Sequence, residues 1–279
     1  MRFVHRAPRA LAACAVMILT ASTAACTSPG PAGTANGSGA RITVFAASSL
    51  TDVVENLDAA YDGGGRLRVN VGSSSQLVAQ LESGAEADVV ITADLEALEP
   101  LRNGLDRETV LASNPLVLAL AAGNPAGITV LRNVAADGVR AALCAPSVPC
   151  GRATERVLKA ASLSVPAPSL EDSARSVLTK VSSGQADAGF VYRTDALAAA
   201  QAGVTYLPLE DPEPNRYPAA LTQQGAGRAE AAAFYEWLTG PEAAAILAEA
   251  GFGPADPGST PEATDPAPAD STPGSTDAP

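Results

Sequence analysis

Apolar and polar positions along the middle of the chain alternate between the spacing typical of strands and the spacing typical of helices. Ile42–Ala46 is a short apolar run, and Leu50–Tyr61 then repeats apolar residues at helical intervals. A strand at Leu67–Val71 and a helix at Gln76–Glu82 follow, and Asp88–Thr92 has a continuous apolar centre. Because continuous apolar strands are typical of sheets covered on both faces, this β-α-β-α-β order predicts a parallel, doubly wound sheet.

The pattern repeats after a long apolar strand at Pro115–Ala121. The second series comprises strands at Val139–Leu143, Ala188–Tyr192 and Pro218–Thr222, and helices at Arg152–Ala161, Ser173–Val181, Thr194–Ala200, Arg228–Leu238 and Pro241–Ala250. Two such series predict two α/β lobes with a ligand cleft between them, residues 41–118 and 220–253 forming one lobe and residues 119–219 the other. A single continuous α/β domain is the alternative that periodicity leaves open.

The two ends of the chain differ in composition from the lobes. Residues 1–25 resemble a secretory signal, because three arginines precede a short apolar run and small residues lead to Cys26. This ending is similar to a lipobox, so we expect lipid attachment at Cys26; ordinary signal cleavage is the alternative. Residues 26–40 form a Gly- and Pro-rich tether, and residues 254–279 form an acidic, Pro-rich tail that we expect to be disordered.

Charge and residue usage exclude several classes of function. The net charge is -12, so we expect no nucleic-acid partner. The single histidine, His5, lies in the signal, which removes Ser-His-Asp and Cys-His catalysis from the mature chain. The GSSSQ stretch is not a G-x-S-x-G nucleophile motif, because Gln76 stands at the last glycine position. A hydrolase that uses carboxylates alone is the enzymatic alternative; we expect no enzyme and no cofactor.

Two cysteines remain within the predicted lobes, Cys144 and Cys150, close together in the stretch CAPSVPC. In an oxidising compartment we expect them to form a disulfide, which the chain-entropy model credits with roughly 2–2.5 kcal/mol. Two free buried thiols are the alternative.

Small hydroxyl residues follow the first two predicted strands, where each helix begins. Ser48 and Ser49 come after the first strand, and Ser73–Ser75 come after the second. The carboxyl ends of strands meet the amino ends of helices at one edge of such a sheet, where ligands gather. Serines at these positions are either helix caps or donors to a ligand, and two equivalent junctions favour a site.

The second half of the chain offers donors at equivalent positions. Cys150 and Gly151 begin one predicted helix, Ser173 and Ala174 begin another, and Tyr192 ends a strand. For Tyr192 the alternative is a half-buried aromatic ring with a solvated hydroxyl. Helix starts carry unpaired N–H groups and partial positive charge, so these positions together predict an anion site that uses no Arg or Lys.

Several segments, in this order, resemble the ModA-type molybdate-binding proteins of ABC importers. They are ITVFAASSL (42–50), VGSSSQLVAQLESGAEADVVITAD (71–94), VPCGRATERVL (148–158), ADAGFVYRTDA (186–196), YPAAL (217–221) and FYEWLTGPEAAAILAEAGF (234–252). The resemblance implies a type II periplasmic-binding-protein fold, with a doubly wound sheet in each lobe. It also implies capture of molybdate outside the membrane and delivery to an ABC permease.

Position by position, the resemblance assigns the oxyanion contacts to five residues. They are Ser49, Ser74, Cys150, Ala174 and Tyr192. The two serines and the tyrosine would donate hydroxyl hydrogens, and the other two residues would donate backbone N–H groups. Cys150 stands where the family often has Ala, and Ala174 where it often has Val, with Ser173 as the competing donor. Molybdenum would therefore be held as an oxyanion, with no protein atom coordinating the metal.

The identity of the anion is left partly open by these patterns. Tungstate has nearly the size and charge of molybdate and should also bind. Sulfate is smaller, and phosphate near neutral pH carries a proton that needs an acceptor. Another solute, such as sulfate or a small organic anion, and a sensor without a transport role are the alternatives. We expect a monomer held at the outer face of the membrane by its lipid alone.

Overall fold

The structure is a computed structural model that describes residues 40–211 and 213–256. Its strands are β1 (Ala40–Ala47), β2 (Gly65–Gly72), β3 (Val89–Ile91), β4 (Leu105–Asn114), β5 (Leu116–Leu120), β6 (Ala141–Cys144), β7 (Ser169–Glu171), β8 (Ala188–Tyr192), β9 (Thr205–Pro208) and β10 (Asn215–Thr222). Its α-helices are α1 (Thr51–Ala60), α2 (Ser74–Glu82), α3 (Pro149–Ala160), α4 (Ala174–Ser182), α5 (Arg193–Ala198), α6 (Gln223–Ala226), α7 (Ala229–Leu238) and α8 (Pro241–Glu249). Short 3-10 segments lie at Ser48–Leu50, Glu96–Gly104, Leu131–Ala135 and Ala200–Ala202. The predicted signal with Cys26, the tether up to residue 39 and the tail from residue 257 lie outside the described residues.

The first sheet has the order β2-β1-β3-β10-β4. Strand β1 pairs in parallel with β2 and β3, and α1 and α2 are the crossover helices between these strands. The predicted β-α-β-α-β unit is therefore confirmed. The sheet as a whole is mixed rather than parallel, because β10 pairs antiparallel with both β3 and β4.

The second sheet has the order β7-β6-β8-β5-β9 and is also mixed. Strand β6 pairs in parallel with β7 and β8, whereas β5 pairs antiparallel with β8 and β9. Two sheets with flanking helices confirm the two-lobed α/β fold. The chain enters the second sheet after β4 and returns to the first sheet at β10.

Both changes of sheet lie a few residues from the predicted lobe boundaries. The boundary after residue 118 falls within β5, which belongs wholly to the second sheet. The boundary after residue 219 falls within β10, which belongs wholly to the first. The actual entry point is Pro115, which has no N–H to continue the β4 ladder. Apolar periodicity does not mark these points, since it identifies a buried strand without saying which neighbours it pairs with.

The final two α-helices pack on the first lobe, as predicted. Helix α7 contacts β1 and β10, and α8 contacts α1 and β4. An aromatic cluster joins α7 to the end of α1, where the rings of Tyr61 and Phe234 meet edge to face at 5.0 Å. Burial of side chains of this size stabilises the fold by roughly 1.5–3 kcal/mol each. Within residues 40–211 and 213–256, no helix has both the length and the apolar character needed to cross a membrane.

A disulfide joins the end of β6 to the start of α3. Cys144 and Cys150 are bonded through sulfur, with their Cα atoms 5.7 Å apart, as the sequence predicts. The neighbouring Gly151 is required by packing, because a Cβ at this position would lie 1.8 Å from the carbonyl oxygen of Ala145. The short cross-link and the glycine together fix where α3 begins.

Replacing both bonded cysteines, as Cys144→Ala with Cys150→Ala, should lower the free energy of unfolding by about 2 kcal/mol, because the cross-link no longer restricts the unfolded chain. Urea unfolding of the double variant and of the parent protein, each with and without a reductant, measures this loss. Reductant should destabilise the parent alone; an equal response of both proteins would contradict a formed disulfide.

Candidate functional site

A small cavity between the two sheets is lined by all five residues that the resemblance assigns. The space free of protein atoms measures about 220 Å³ and includes a part that is open to solvent. Its lining residues are Ala47, Ser48, Ser49, Ser73, Ser74, Ala93, Val148, Pro149, Cys150, Ser173, Ala174 and Tyr192. The predicted convergence of the donors from both lobes is therefore present. Their contact with a ligand stays a prediction.

Helix starts from both lobes face this cavity. Ser49 lies in the 3-10 turn that leads into α1, and Ser74 is the first residue of α2. Cys150 is the second residue of α3, and Ala174 is the first residue of α4. The first N–H groups of a helix have no acceptor within the helix, and the helix dipole adds partial positive charge there. The cavity is thus built to receive negative charge.

The start of α4 distinguishes Ser173 from Ala174, the two candidates for the donor that this helix contributes. Ser173 is the N-cap, and its Oγ accepts a hydrogen bond from the N–H of Ser176 at 3.1 Å. The Ser176 hydroxyl donates to Asp172, so the Ser173 hydroxyl, 2.9 Å from Ser176 Oγ, directs its own hydrogen at Ser176 and not at the cavity. The N–H of Ala174, by contrast, is a first-turn donor at the cavity wall. This arrangement favours Ala174 over Ser173 as the donor to a ligand.

Each of the two assigned serines is buried and has a protein partner. Ser74 Oγ accepts a hydrogen bond from the N–H of Ala93 at 3.0 Å. Ser49 Oγ lies 2.8 Å from the hydroxyl oxygen of Tyr217, which in turn accepts from Asn114 Nδ2 at 3.4 Å. Since the Asn114 amide donates a hydrogen bond to the Tyr217 oxygen, Tyr217 can direct its own hydrogen to Ser49. Both serine hydroxyls then keep a hydrogen to donate.

Tyr192 is fully buried at the end of β8. Burial raises the pKa of its hydroxyl well above the usual value near 10, and Tyr217 and Asp94 raise it further. The group is therefore a neutral donor at any physiological pH. Its oxygen accepts a hydrogen bond from Asn215 Nδ2 at 2.7 Å. The half-buried, solvated tyrosine considered as the alternative is not what the structure shows, because Tyr192 is only 2% exposed.

Sequence reasoning missed several residues that shape the site. Asn215 and Tyr217 hold donors in place from β10, and Arg156 holds Asn215 from α3. Arg156 and Tyr217 lie in segments that resemble the family, but no local pattern marks the role of any of the three, because each acts on a residue distant in the chain. Ser73 had a visible signal in the serine run; it lines the cavity, and within the described part of the chain its buried Oγ has no hydrogen-bond partner.

None of the described residues that line the cavity carries a charge. Asp172 directly precedes the start of α4, but it is not among the lining residues and accepts from Ser176 Oγ at 2.7 Å and from Gln76 Nε2 at 2.9 Å. The hydrogen bond from Ser176 is the largest cause that lowers the pKa of Asp172. Among the described residues there is also no cluster of His, Cys, Asp or Glu that could hold a metal ion.

Polar contacts close the cleft around the cavity. Arg152 on α3 binds Asp94, which follows β3, at 2.6 Å, and both side chains are largely buried. Arg175 on α4 binds Asp52 on α1 at 2.5 Å. Ser75 Oγ also donates to the carbonyl oxygen of Ser147 at 2.9 Å. Each of these contacts joins a residue of the first lobe to a residue of the second, so the contacts form only when the lobes are together.

A buried carboxyl group, Asp195, lies in the first turn of α5. One of its oxygens accepts from the N–H of Tyr192 at 3.3 Å, and the other has no partner among the described residues. Desolvation by burial raises its pKa from 3.8 to about 7, although Arg175 and the Tyr192 N–H act to lower it. The folded protein thus holds a proton on this group in a pH range where an unfolded chain does not.

A two-lobed fold with a cavity of neutral donors between its sheets is typical of a solute-binding protein. The family model of bacterial extracellular solute-binding proteins matches residues 42–253. Molybdate-binding protein ModA of Mycobacterium tuberculosis is 36% identical over 245 residues, which cover 84% of this chain and 94% of that protein.

Two solved structures extend the comparison. The periplasmic molybdate-binding protein of Azotobacter vinelandii matches with a TM-score of 0.68 and 27% identity, covering 76% of this chain and 98% of that chain. The sulfate-binding protein SubI of Mycobacterium tuberculosis matches with a TM-score of 0.67 over 78% of this chain and 88% of its own, at 18% identity, so it shares the fold alone. This chain belongs to the bacterial extracellular solute-binding proteins, and within them to the ModA type.

Asp195→Asn should flatten the dependence of stability on pH. An unfolded Asp loses its proton near pH 4, whereas folded Asp195 keeps it to about pH 7. The folded state therefore binds more protons in this window, and its stability falls as pH rises, by up to about 1.4 kcal/mol per unit. Asn keeps the shape and the acceptor for Tyr192 but does not titrate. Urea unfolding from pH 5 to pH 8 should show a gain in the variant that grows with pH.

The exposed Asp137→Asn is the matched control for this experiment and should follow the parent protein. Parallel pH profiles for the Asp195 variant and the parent would contradict a buried, protonated Asp195.

Proposed function

We propose that this protein captures molybdate, and with it tungstate, outside the membrane and delivers it to an ABC permease. The observation that carries the proposal is the cavity between the lobes, in which helix starts and hydroxyl groups converge and no lining residue is charged. The relatives named as molybdate-binding proteins support the same anion. The protein acts by binding and release, and no covalent step is involved.

Neutral donors suffice to hold a dianion. Hydrogen bonds to a charged group contribute roughly 1.5–3 kcal/mol each, so several that converge support micromolar affinity or better. Ser49, Ser74 and Tyr192 supply hydroxyl hydrogens, and the starts of α3 and α4 supply backbone N–H groups. Enclosure strengthens each bond because water is excluded. This is how a chain with a net charge of -12 binds an anion.

The geometry selects among tetrahedral anions by size and by protonation. Tungstate matches molybdate in both, so it binds as well. Sulfate is smaller and leaves some donors too far away for good hydrogen bonds. Monohydrogen phosphate carries a proton that needs an acceptor, and Asp172, the nearest candidate in sequence, does not line the cavity and already accepts from Ser176 and Gln76.

Ligand capture and lobe closure are coupled. The donors of α3 and α4 belong to the second lobe and those of Ser49 and Ser74 to the first, so the full set exists only in the closed protein. The cross-lobe pair Arg152–Asp94 forms in the same state. The permease then recognises the surface that closure creates.

The segment that precedes the two lobes determines where the protein is located. We assign residues 1–25 to the signal, Cys26 to lipid attachment and residues 26–40 to a tether that places the lobes beyond the membrane surface. A monomer anchored by its lipid alone meets the permease at the outer face of the membrane.

Calorimetric titration of the signal-free protein with molybdate should give a dissociation constant in the micromolar range or below, with tungstate similar and sulfate and phosphate much weaker. Ser49→Ala and Ser74→Ala should each weaken molybdate binding about 10- to 100-fold, because each removes a hydrogen bond to a charged group. Cys144→Ala with Cys150→Ala should change it little, because Cys150 acts through its backbone.

Ser164→Ala is the matched control, since Ser164 is exposed and outside the cavity. Binding of sulfate without molybdate, or serine variants that bind as tightly as the parent, would overturn the assignment.

Arg152→Gln should weaken molybdate binding about 10-fold, mainly through faster release. The change removes the ion pair with Asp94 that holds the lobes together, and it leaves the Asp94 carboxylate uncompensated beside a bound anion. Stopped-flow release of molybdate into a chelating resin compares the variant with Arg102→Gln, whose ion pair with Glu99 is exposed and local. Equal release rates for both variants would exclude Arg152 from closure.

A further inference from the structure

Asn215, the first residue of β10, lies directly behind the cavity and is 2% exposed. Its Nδ2 donates to the carbonyl oxygen of Ala93 at 2.9 Å and to the hydroxyl oxygen of Tyr192 at 2.7 Å. Its Oδ1 accepts from the guanidinium of Arg156 at 2.7 Å. Every hydrogen of the amide is therefore used, and the residue joins β10, the end of β3, β8 and α3 in one network.

The chemistry of these partners fixes the orientation of the amide. A guanidinium can only donate, so the atom that faces Arg156 must be the oxygen. A carbonyl oxygen can only accept, so the atom that faces Ala93 must be the nitrogen. A flipped Asn215 would lose both bonds while buried. Its second N–H is consequently directed at Tyr192 in every low-energy arrangement.

Because of this fixed amide orientation, the Tyr192 hydroxyl is a hydrogen-bond donor toward the cavity. Its oxygen receives the Asn215 hydrogen, so its own hydrogen must point to another acceptor, and Tyr192 lines the cavity. Ser74 has the same arrangement, because its oxygen receives the N–H of Ala93. The protein thus occupies the acceptor sides of these hydroxyls and leaves their hydrogens for a ligand.

We propose that Asn215, oriented by Arg156, is a positioning residue that contributes to specificity: it keeps Tyr192 a hydrogen-bond donor and thereby disfavours tetrahedral anions that carry a proton. The proposal rests on the function proposed above and deepens it, because it names the residue that separates molybdate from monohydrogen phosphate. A protonated anion brings a hydrogen that needs an acceptor, and Asn215 withdraws the Tyr192 oxygen, which is one of the hydroxyl oxygens at the cavity that could accept it.

Two substitutions at this position separate the possible roles. Asn215→Asp keeps the shape but can only accept, so Tyr192 must turn its hydrogen away from the cavity. Molybdate affinity should fall about 100-fold or more. Asn215→Leu neither donates nor accepts, so Tyr192 is free to do either. Molybdate should then weaken by about 10-fold or less, while the ratio of molybdate to monohydrogen phosphate affinity should narrow at least 10-fold at about pH 8. Arg216→Gln, exposed on the same strand, is the control.

A double-mutant cycle with Tyr192→Phe tests whether Asn215 acts through the hydroxyl. In the Tyr192→Phe background, Asn215→Asp should cost no more than about 3-fold in molybdate affinity. A loss as large as in the parent would overturn the proposal, as would an unchanged anion ratio in Asn215→Leu. The Leu variant decides the question if the Asp variant does not fold. If the parent binds sulfate and not molybdate, the proposed function fails, and the same cycle run with sulfate still tests Asn215.

Discussion

Buried hydrogen-bond donors that lack an acceptor are the constraint on which the rest of this structure depends. Each helix start leaves N–H groups unpaired, and an unpaired polar group in a closed cavity is costly. In most proteins, water or a capping side chain relieves this cost. Here the starts of α2, α3 and α4 meet at one cavity, so a single anion can satisfy donors from both lobes at once. In the mechanism that we propose, an open form with hydrated donors and a closed form with its donors on an anion are the two states that avoid the cost.

The same constraint explains why the site contains no Arg or Lys. A fixed positive charge would bind many anions and would hold the lobes together without a ligand. Neutral donors give a site whose strength depends on how many of them reach the ligand, and hence on its size. Arg152 and Arg175 lie outside the cavity lining, where they pair with carboxylates across the cleft. Those ion pairs support closure of the lobes. Their carboxylates neutralise the arginine charges, so the arginines add no net positive charge next to the ligand.

Rigid supports hold the donors in position. The close approach of Gly151 to Ala145 sets the first turn of α3, and the disulfide between Cys144 and Cys150 adds a cross-link to it. The Cys150 N–H therefore keeps its position even without the Cys150 side chain. Strand β10 supplies Asn215 and Tyr217, which orient hydroxyls that belong to other elements. Because β10 also returns the chain to the first sheet, it is both part of the connection between lobes and part of the support of the site.

The sequence by itself determined the pairing of Cys144 with Cys150, the small hydroxyl residues at strand ends, and most of the strands and helices, with β4, β7, β9 and α6 as the exceptions. These features are local, because a serine before a helix or an apolar run of five residues can be recognised from a short stretch of sequence. Strand β4 was missed because its first half is exposed and charged, and it is a strand only through its pairing with β10. Only the tertiary structure decided which sheet β5 joins, that Asp172 turns away from the cavity, and that Asn215 and Tyr217 stand behind the donors. Each of these depends on partners distant in the chain, and no local pattern encodes a contact that two separate lobes make together.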